Sequence, residues 1–100
     1  MRILVIDVGG TNIKVAGSWA LAPVKIPSGP TLTASRMVKA VQSLTTDWKF
    51  DVISIGLPGP VRDGRSLKEP HNLGGGWRRM DFGRAFGKPV RIANDAEQFA

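Results

Sequence analysis

The sequence predicts a mixed α/β fold, and three observations predict it. Residues 2–8 are a short run rich in β-branched side chains, stopped by Gly9-Gly10, which reads as a strand and a tight turn. Ala34, Met37, Val38, Val41 and Leu44 recur at helical spacing, the mark of an amphipathic helix. Two more short apolar runs, Asp51 to Leu57 and Val90 to Ala93, end at Pro58 and at Asn94-Asp95. Strand and helix patterns therefore share one short chain.

The elements follow in order. Asn12 to Ala16 resumes extended character after the glycines, so residues 2–18 read as a hairpin. Ala20 to Ile26 supplies a third strand before the loop Pro27-Ser28-Gly29-Pro30. Thr33 is the N-cap of the helix, which ends near Thr45 or Thr46. Asp51 to Leu57 is a strand stopped by Pro58-Gly59-Pro60. Val61-Arg62 and Arg65 to Leu67 flank Asp63-Gly64, a common two-residue hairpin turn. Gly74-Gly75-Gly76 is expected to be a mobile loop running into Trp77. A short helix covers Asp81 to Phe86 and closes at Gly87. Val90 to Ala93 is a strand, and Asn94-Asp95 open a helix with Ala96, Phe99 and Ala100 on one face. A hairpin sheet followed by a helical crossover is the order of the ribonuclease-H-like or actin-like lobe, with a mixed sheet that opens on a β-hairpin. A dinucleotide-binding fold would begin β-α-β instead. The last helix carries no stop signal at Ala100, so residues 1–100 are expected to be the N-terminal lobe of a longer, two-lobed protein.

Composition narrows the class. The chain has 100 residues, 42% hydrophobic and 22% charged, with no cysteine, which excludes a disulfide scaffold and a cysteine zinc site. No apolar stretch nears the roughly 20 residues of a membrane span, and the start lacks a secretory pattern, so a cytoplasmic protein without a membrane partner is expected. Fourteen Lys and Arg against eight Asp and Glu give a net charge of +6, which favours anionic partners. Arg78, Arg79, Arg84, Lys88 and Arg91 form the densest basic stretch, which reads equally as a solvated face.

Three segments can carry chemistry. In Asp7-Val8-Gly9-Gly10-Thr11-Asn12-Ile13-Lys14, two glycines let the backbone approach a phosphate, and Thr11 and Asn12 add donors. Asp7, at the strand end, can hold Mg²⁺ through water. A plain hairpin turn explains the same residues. In Val90-Arg91-Ile92-Ala93-Asn94-Asp95-Ala96, a strand delivers an amide and a carboxylate to a helix start, where Asp95 can take a proton from an alcohol. Both are also preferred N-caps. In Gly56-Leu57-Pro58-Gly59-Pro60, with Pro70-His71-Asn72-Leu73 and Trp77 beyond, exposed backbone and the Asn72 amide can bind sugar hydroxyls. Trp77 can stack on a sugar or anchor its loop to the core. Gly83 to Lys88 only imitates a phosphate-binding loop, with three residues between its glycines where four are needed.

In this order and at these separations, the motifs resemble the N-terminal part of the ROK family of sugar kinases, closest to its polyphosphate/ATP glucokinase branch. The matching residues are Asp7-Val8-Gly9-Gly10-Thr11-Asn12-Ile13-Lys14, Gly56-Leu57-Pro58-Gly59, Asn72-Leu73 with Trp77, and Asn94-Asp95-Ala96. The resemblance implies transfer of a phosphoryl group from ATP or polyphosphate to the 6-hydroxyl of a hexose, glucose first, with Mg²⁺ as cofactor. It implies Asp95 as general base and Asn94 as a ligand of the sugar hydroxyls, with Asn72, Pro58 and Gly59 on the substrate side. Gly9, Gly10, Thr11 and Asn12 would hold donor phosphates, and Asp7 would sit near the metal. Lys14 fits the motif or a strand surface equally well. The family's later sugar ligands, second phosphate segment and adenosine segment have no counterpart in these residues, so the 100-residue chain alone is expected to be inactive, and the full-length protein is expected to be a homo-oligomer.

Two other readings stay open. A sugar-sensing regulator of the same family would carry a helix-turn-helix ahead of the first strand, which here begins at Arg2. A polyanion or nucleic-acid binder would rest on residues 78–91, yet that stretch interleaves few aromatics and disfavours nucleic acid.

Overall fold

Alternation of apolar and polar residues writes the first strand: in β1 (Ile3–Val8), Leu4, Ile6 and Val8 are buried and their neighbours half-buried. The computed structural model describes residues 1–19, 22–63, 65–70 and 72–94. Beyond the Gly9–Thr11 turn, β2 (Asn12–Gly17) returns antiparallel to β1, with Val8 opposite Ile13 and Ile6 opposite Val15. The expected hairpin is therefore present. β3 (Val24–Pro27) pairs antiparallel with β2; it starts later than the predicted strand, whose Ala20 and Leu21 lie outside the described residues.

The helix α1 (Ala34–Leu44) begins at the predicted cap. Thr33 is extended, and its hydroxyl oxygen accepts the Arg36 N–H at 3.1 Å, satisfying one of the donors that a first turn leaves open. Ala34, Met37, Val38 and Val41 face the sheet and are buried. Thr45 ends the helix as C-cap, with its hydroxyl donating to the Val41 carbonyl at 2.8 Å.

From α1 the chain crosses to β4 (Val52–Leu57), parallel to β1, with Ile3 opposite Val52 and Asp7 opposite Gly56. A small separate hairpin, β5 (Val61–Arg62) and β6 (Arg65–Ser66), follows; Asp63 sits at its turn with a φ of 53°, and Gly64 lies outside the described residues. The helix α2 (Phe82–Phe86) is capped by the Asp81 carboxylate, which accepts the Arg84 N–H, and it closes at Gly87 in the left-handed region, φ 69°. That conformation suits glycine.

β7 (Val90–Asn94) completes the five-stranded sheet, ordered β3-β2-β1-β4-β7, and runs parallel to β4. The predicted boundary needs one correction. Asn94 is the last strand residue, paired with Leu57, one position beyond the expected end at Ala93. The helix expected over 95–100 lies outside the described residues.

One sheet face carries the core. Leu4, Ile6, Val8, Ile13, Val15, Ile53, Ile55 and Leu57 meet α1, Trp77 and Phe82 there, and Ala85 and Phe86 of α2 pack against the same cluster. On the opposite face, Ile3, Val5, Val52 and Ser54 line an open hollow of about 560 Å³. The mixed sheet, opening on an antiparallel hairpin and continued by parallel crossover strands, is the fold expected of the actin-like lobe. Among the described residues no helix is long and apolar enough to cross a membrane.

The Thr33 cap gives a direct check on this account. Thr33→Ala should cost about 1 kcal/mol, lowering the thermal midpoint of a domain this size by roughly 4–8 °C, whereas Thr33→Ser should stay near wild type by circular dichroism.

Candidate functional site

Three parallel strands end together. Asp7 of β1 lies opposite Gly56 of β4, Gly56 lies opposite Ala93 of β7, and Leu57 lies opposite Asn94. With strands spaced about 4.8 Å apart, Asp7 and Ala93 are roughly 10 Å from one another. The Gly9–Thr11 turn, the Pro58–Gly59–Pro60 corner and Asn94 therefore share the carboxyl-terminal edge of the sheet, where open α/β sheets bind ligands.

The glycine turn is built tightly on one side and openly on the other. The Gly9 N–H donates to the Asn12 carbonyl at 3.1 Å, and a Cβ on Gly9 would lie 2.8 Å from that oxygen. Only glycine fits there. At Gly10 a Cβ would meet nothing within 4 Å, so this exposed residue presents bare backbone at the strand-end edge. Ser28, which the sequence reading did not single out, secures the turn from β3: its hydroxyl donates to the Gly9 carbonyl at 2.7 Å and its N–H donates to the Thr11 carbonyl at 3.0 Å. Thr11 is exposed and Asn12 half-buried.

Asp7 is half-buried on the sheet face away from α1, in a row with Lys14, Gly56 and Ala93. The row sets only small side chains beside the carboxylate toward β7. Lys14 is exposed on the next strand, opposite Asp7 and Lys25, so it stands on the sheet surface and not in the turn. Among the described residues no three Asp, Glu or His side chains cluster to hold a metal. A single carboxylate two residues before the exposed backbone of the turn fits Mg²⁺, which keeps several waters and takes the rest of its ligands from phosphate.

The second and third segments meet directly. The Asn94 side-chain amide donates to the Gly59 carbonyl at 3.0 Å, tying the strand end to the proline corner. Nothing in the spacing signals this contact, which joins residues 35 positions apart. Asp95 and His71 lie outside the described residues. Asn72 is exposed and left-handed, with a φ of 62°, a conformation that asparagine tolerates better than most residues.

The triglycine segment contradicts the mobile loop expected of it. The Gly74 N–H donates to the Leu32 carbonyl at 2.9 Å, and the Gly75 carbonyl accepts the Ala34 N–H at 3.1 Å. A Cβ on Gly74 would lie 2.9 Å from the Thr33 methyl group. Glycine serves close packing against the start of α1. Trp77 is fully buried and packs on Phe82 with ring centroids 6.2 Å apart, so it anchors the loop and does not stack on a sugar. Its indole Nε1 has no partner among the described residues.

A sheet of this order, opening on an antiparallel hairpin and continued by parallel strands, is that of the actin-like fold. No family model matches the chain, and no curated protein matches it in sequence. Solved structures do. A glucokinase from an Antarctic psychrotroph superposes with a TM-score of 0.77 at 24% identity, over 99% of this chain and 34% of that one. A ROK hexokinase from Thermus thermophilus gives 0.69 at 24% identity, over 96% and 36%. A putative N-acetylmannosamine kinase from Listeria monocytogenes gives 0.67 at 24%, over 96% and 36%. The chain thus has the fold seen in these three structures and spans about a third of their length.

The two glycines of the turn should separate in a stability measurement. Gly9→Ala forces a backbone contact to give way and should cost about 1–3 kcal/mol. Gly10→Ala meets open space and should unfold in denaturant near the wild-type midpoint.

Proposed function

We propose that this chain forms the donor- and acceptor-binding lobe of a sugar kinase, transferring a terminal phosphoryl group from ATP or polyphosphate to the 6-hydroxyl of a hexose, with glucose the first candidate. The observation that carries the reading is the shared strand-end crevice, in which the glycine turn, the Pro58–Gly59–Pro60 corner and Asn94 stand together on a fold also found in hexokinases and glucokinases.

In this reading, backbone N–H groups of the turn around Gly9, Gly10, Thr11 and Asn12 hold the donor's terminal phosphates, as turns with several converging amides do. Asp7 would hold Mg²⁺, which supplies charge neutralisation on the phosphates when bound. Pro58, Gly59, Asn72 and Asn94 line the sugar side; Asn94 also fixes the corner through Gly59. Asp95 follows Asn94 directly in the chain and accepts the proton of the 6-hydroxyl. The sugar oxygen then bonds to the terminal phosphorus, the bond from that phosphorus to the bridging oxygen breaks, and ADP or a polyphosphate shortened by one unit leaves. Such a step depends on in-line positioning more than on covalent chemistry.

Polyphosphate as donor draws support from charge. Arg62, Arg65, Arg78 and Arg79 line a groove of about 710 Å³ in which Asp63 and Glu69 are the acidic residues, so its lining is net positive. A long polyanion can span such a row, while a nucleotide tail uses only part of it.

Phosphoryl transfer by the intact protein, assayed with ATP and polyphosphate against several hexoses, should yield the hexose 6-phosphate. Asp95→Asn should lower kcat by about 10² to 10⁴, and full retention of rate removes Asp95 as base. Gly10→Ala should raise the donor KM about tenfold or more, the loss expected when an amide-to-phosphate hydrogen bond is disturbed, with stability unchanged. Arg78→Glu with Arg79→Glu should impair polyphosphate use far more than ATP use; equal losses remove the polyphosphate assignment.

A further inference from the structure

Glu69 closes a loop in a manner the proposed reaction does not require of it. Its carboxylate spans the loop from behind: one oxygen accepts the Trp77 N–H at 2.8 Å and the other accepts the Arg78 N–H at 3.0 Å. Two oxygens on two consecutive amides fix both the position and the orientation of the chain they grip, and charged acceptors make the stronger hydrogen bonds. The enclosed segment, residues 70–76, contains Asn72 in its left-handed conformation.

The two halves of the loop are held by different means. The later half is bound to the start of α1 through Gly74 and Gly75, and it ends on the buried Trp77. The earlier half leaves β6 and passes Pro70, where Glu69 and Pro70 face Pro58, Gly59 and Pro60 across a small cavity of about 170 Å³. Glu69 thus closes the base of the loop bearing Asn72 at the point where that loop faces the sugar-side corner. It is exposed, so its replacement leaves no hole in the core.

We infer that Glu69 is a positioning residue for the acceptor sugar, holding the Asn72 loop against the Pro58–Gly59–Pro60 corner through its paired hydrogen bonds to the Trp77 and Arg78 amides. The inference rests on the kinase reading above and adds to it a residue that touches neither substrate.

Glu69→Gln tests it, because the amide keeps the shape but replaces one accepting oxygen with a donor. In the intact protein, hydrogen exchange at the Trp77 and Arg78 amides should quicken about tenfold or more, while α1 and the sheet exchange as in wild type. The KM for the sugar should rise about tenfold, as expected for one hydrogen bond to a charged group. The kcat and the KM for ATP should stay unchanged, and Glu69→Ala should exceed Glu69→Gln in both effects. Exchange at wild-type rates overturns the clamp. Faster exchange with an unchanged sugar KM reduces Glu69 to a structural tie, and losses shared by kcat and the KM for ATP do the same. Failure of the kinase reading shows itself separately, as absence of transfer to any hexose by the wild-type protein, and would remove this role along with it.

Discussion

Parallel pairing of β1, β4 and β7 is the constraint on which the crevice depends. An antiparallel neighbour would carry its chain end to the far side of the sheet. Here three strands point the same way in matched register, Asp7 beside Gly56 beside Ala93, and the turns that leave them emerge side by side. The register is in turn enforced by the core. A slip of one residue in β4 would turn Ile53, Ile55 and Leu57 away from α1 and toward the open face. Burial of apolar side chains on one face therefore decides where the polar groups at the strand ends stand.

The loops are then pinned by a few polar contacts of long sequence range. Ser28 reaches back to Gly9, Asn94 reaches Gly59, and Glu69 grips Trp77 and Arg78. Each satisfies a backbone group that would otherwise need water. Each also joins two segments that could move independently if they were held by sequence neighbours alone. The rigidity of this edge thus comes from side chains that the chemistry itself does not call for.

Local signals made much of the fold legible. Thr33, Asp81 and Gly87 each announce a helix boundary through chemistry confined to one turn, and the strands declare themselves by alternation. The glycine turn and the proline corner stood out for the same reason: their residue types are scarce elsewhere in regular elements. What stayed hidden was of another kind. Asn94 reads as a cap in the sequence, and its pairing with Leu57 and its reach to the Gly59 carbonyl become visible only in the folded sheet. The three glycines from Gly74 look permissive in isolation, but the reason for the first of them is the Thr33 side chain about forty positions earlier. Ser28 and Glu69 are ordinary residues until the partner loop arrives, so no pattern in their own neighbourhood marks them.

The distance along the chain between β1 and β4 bears on how the protein is made. The hairpin of β1, β2 and β3 joins near neighbours and can form while synthesis continues, but Arg2 and Asp51, which meet at the base of the parallel pair, are 49 residues apart. Contacts of that span close slowly, because the entropy of the intervening loop is lost before any bond repays it. The crevice cannot exist until β7 has left the ribosome and docked beside β4. A nascent chain interrupted before residue 52 would hold a nearly finished hairpin with the apolar flank of β1 still uncovered, which makes that interval the one in which the growing polypeptide most needs shelter from its neighbours.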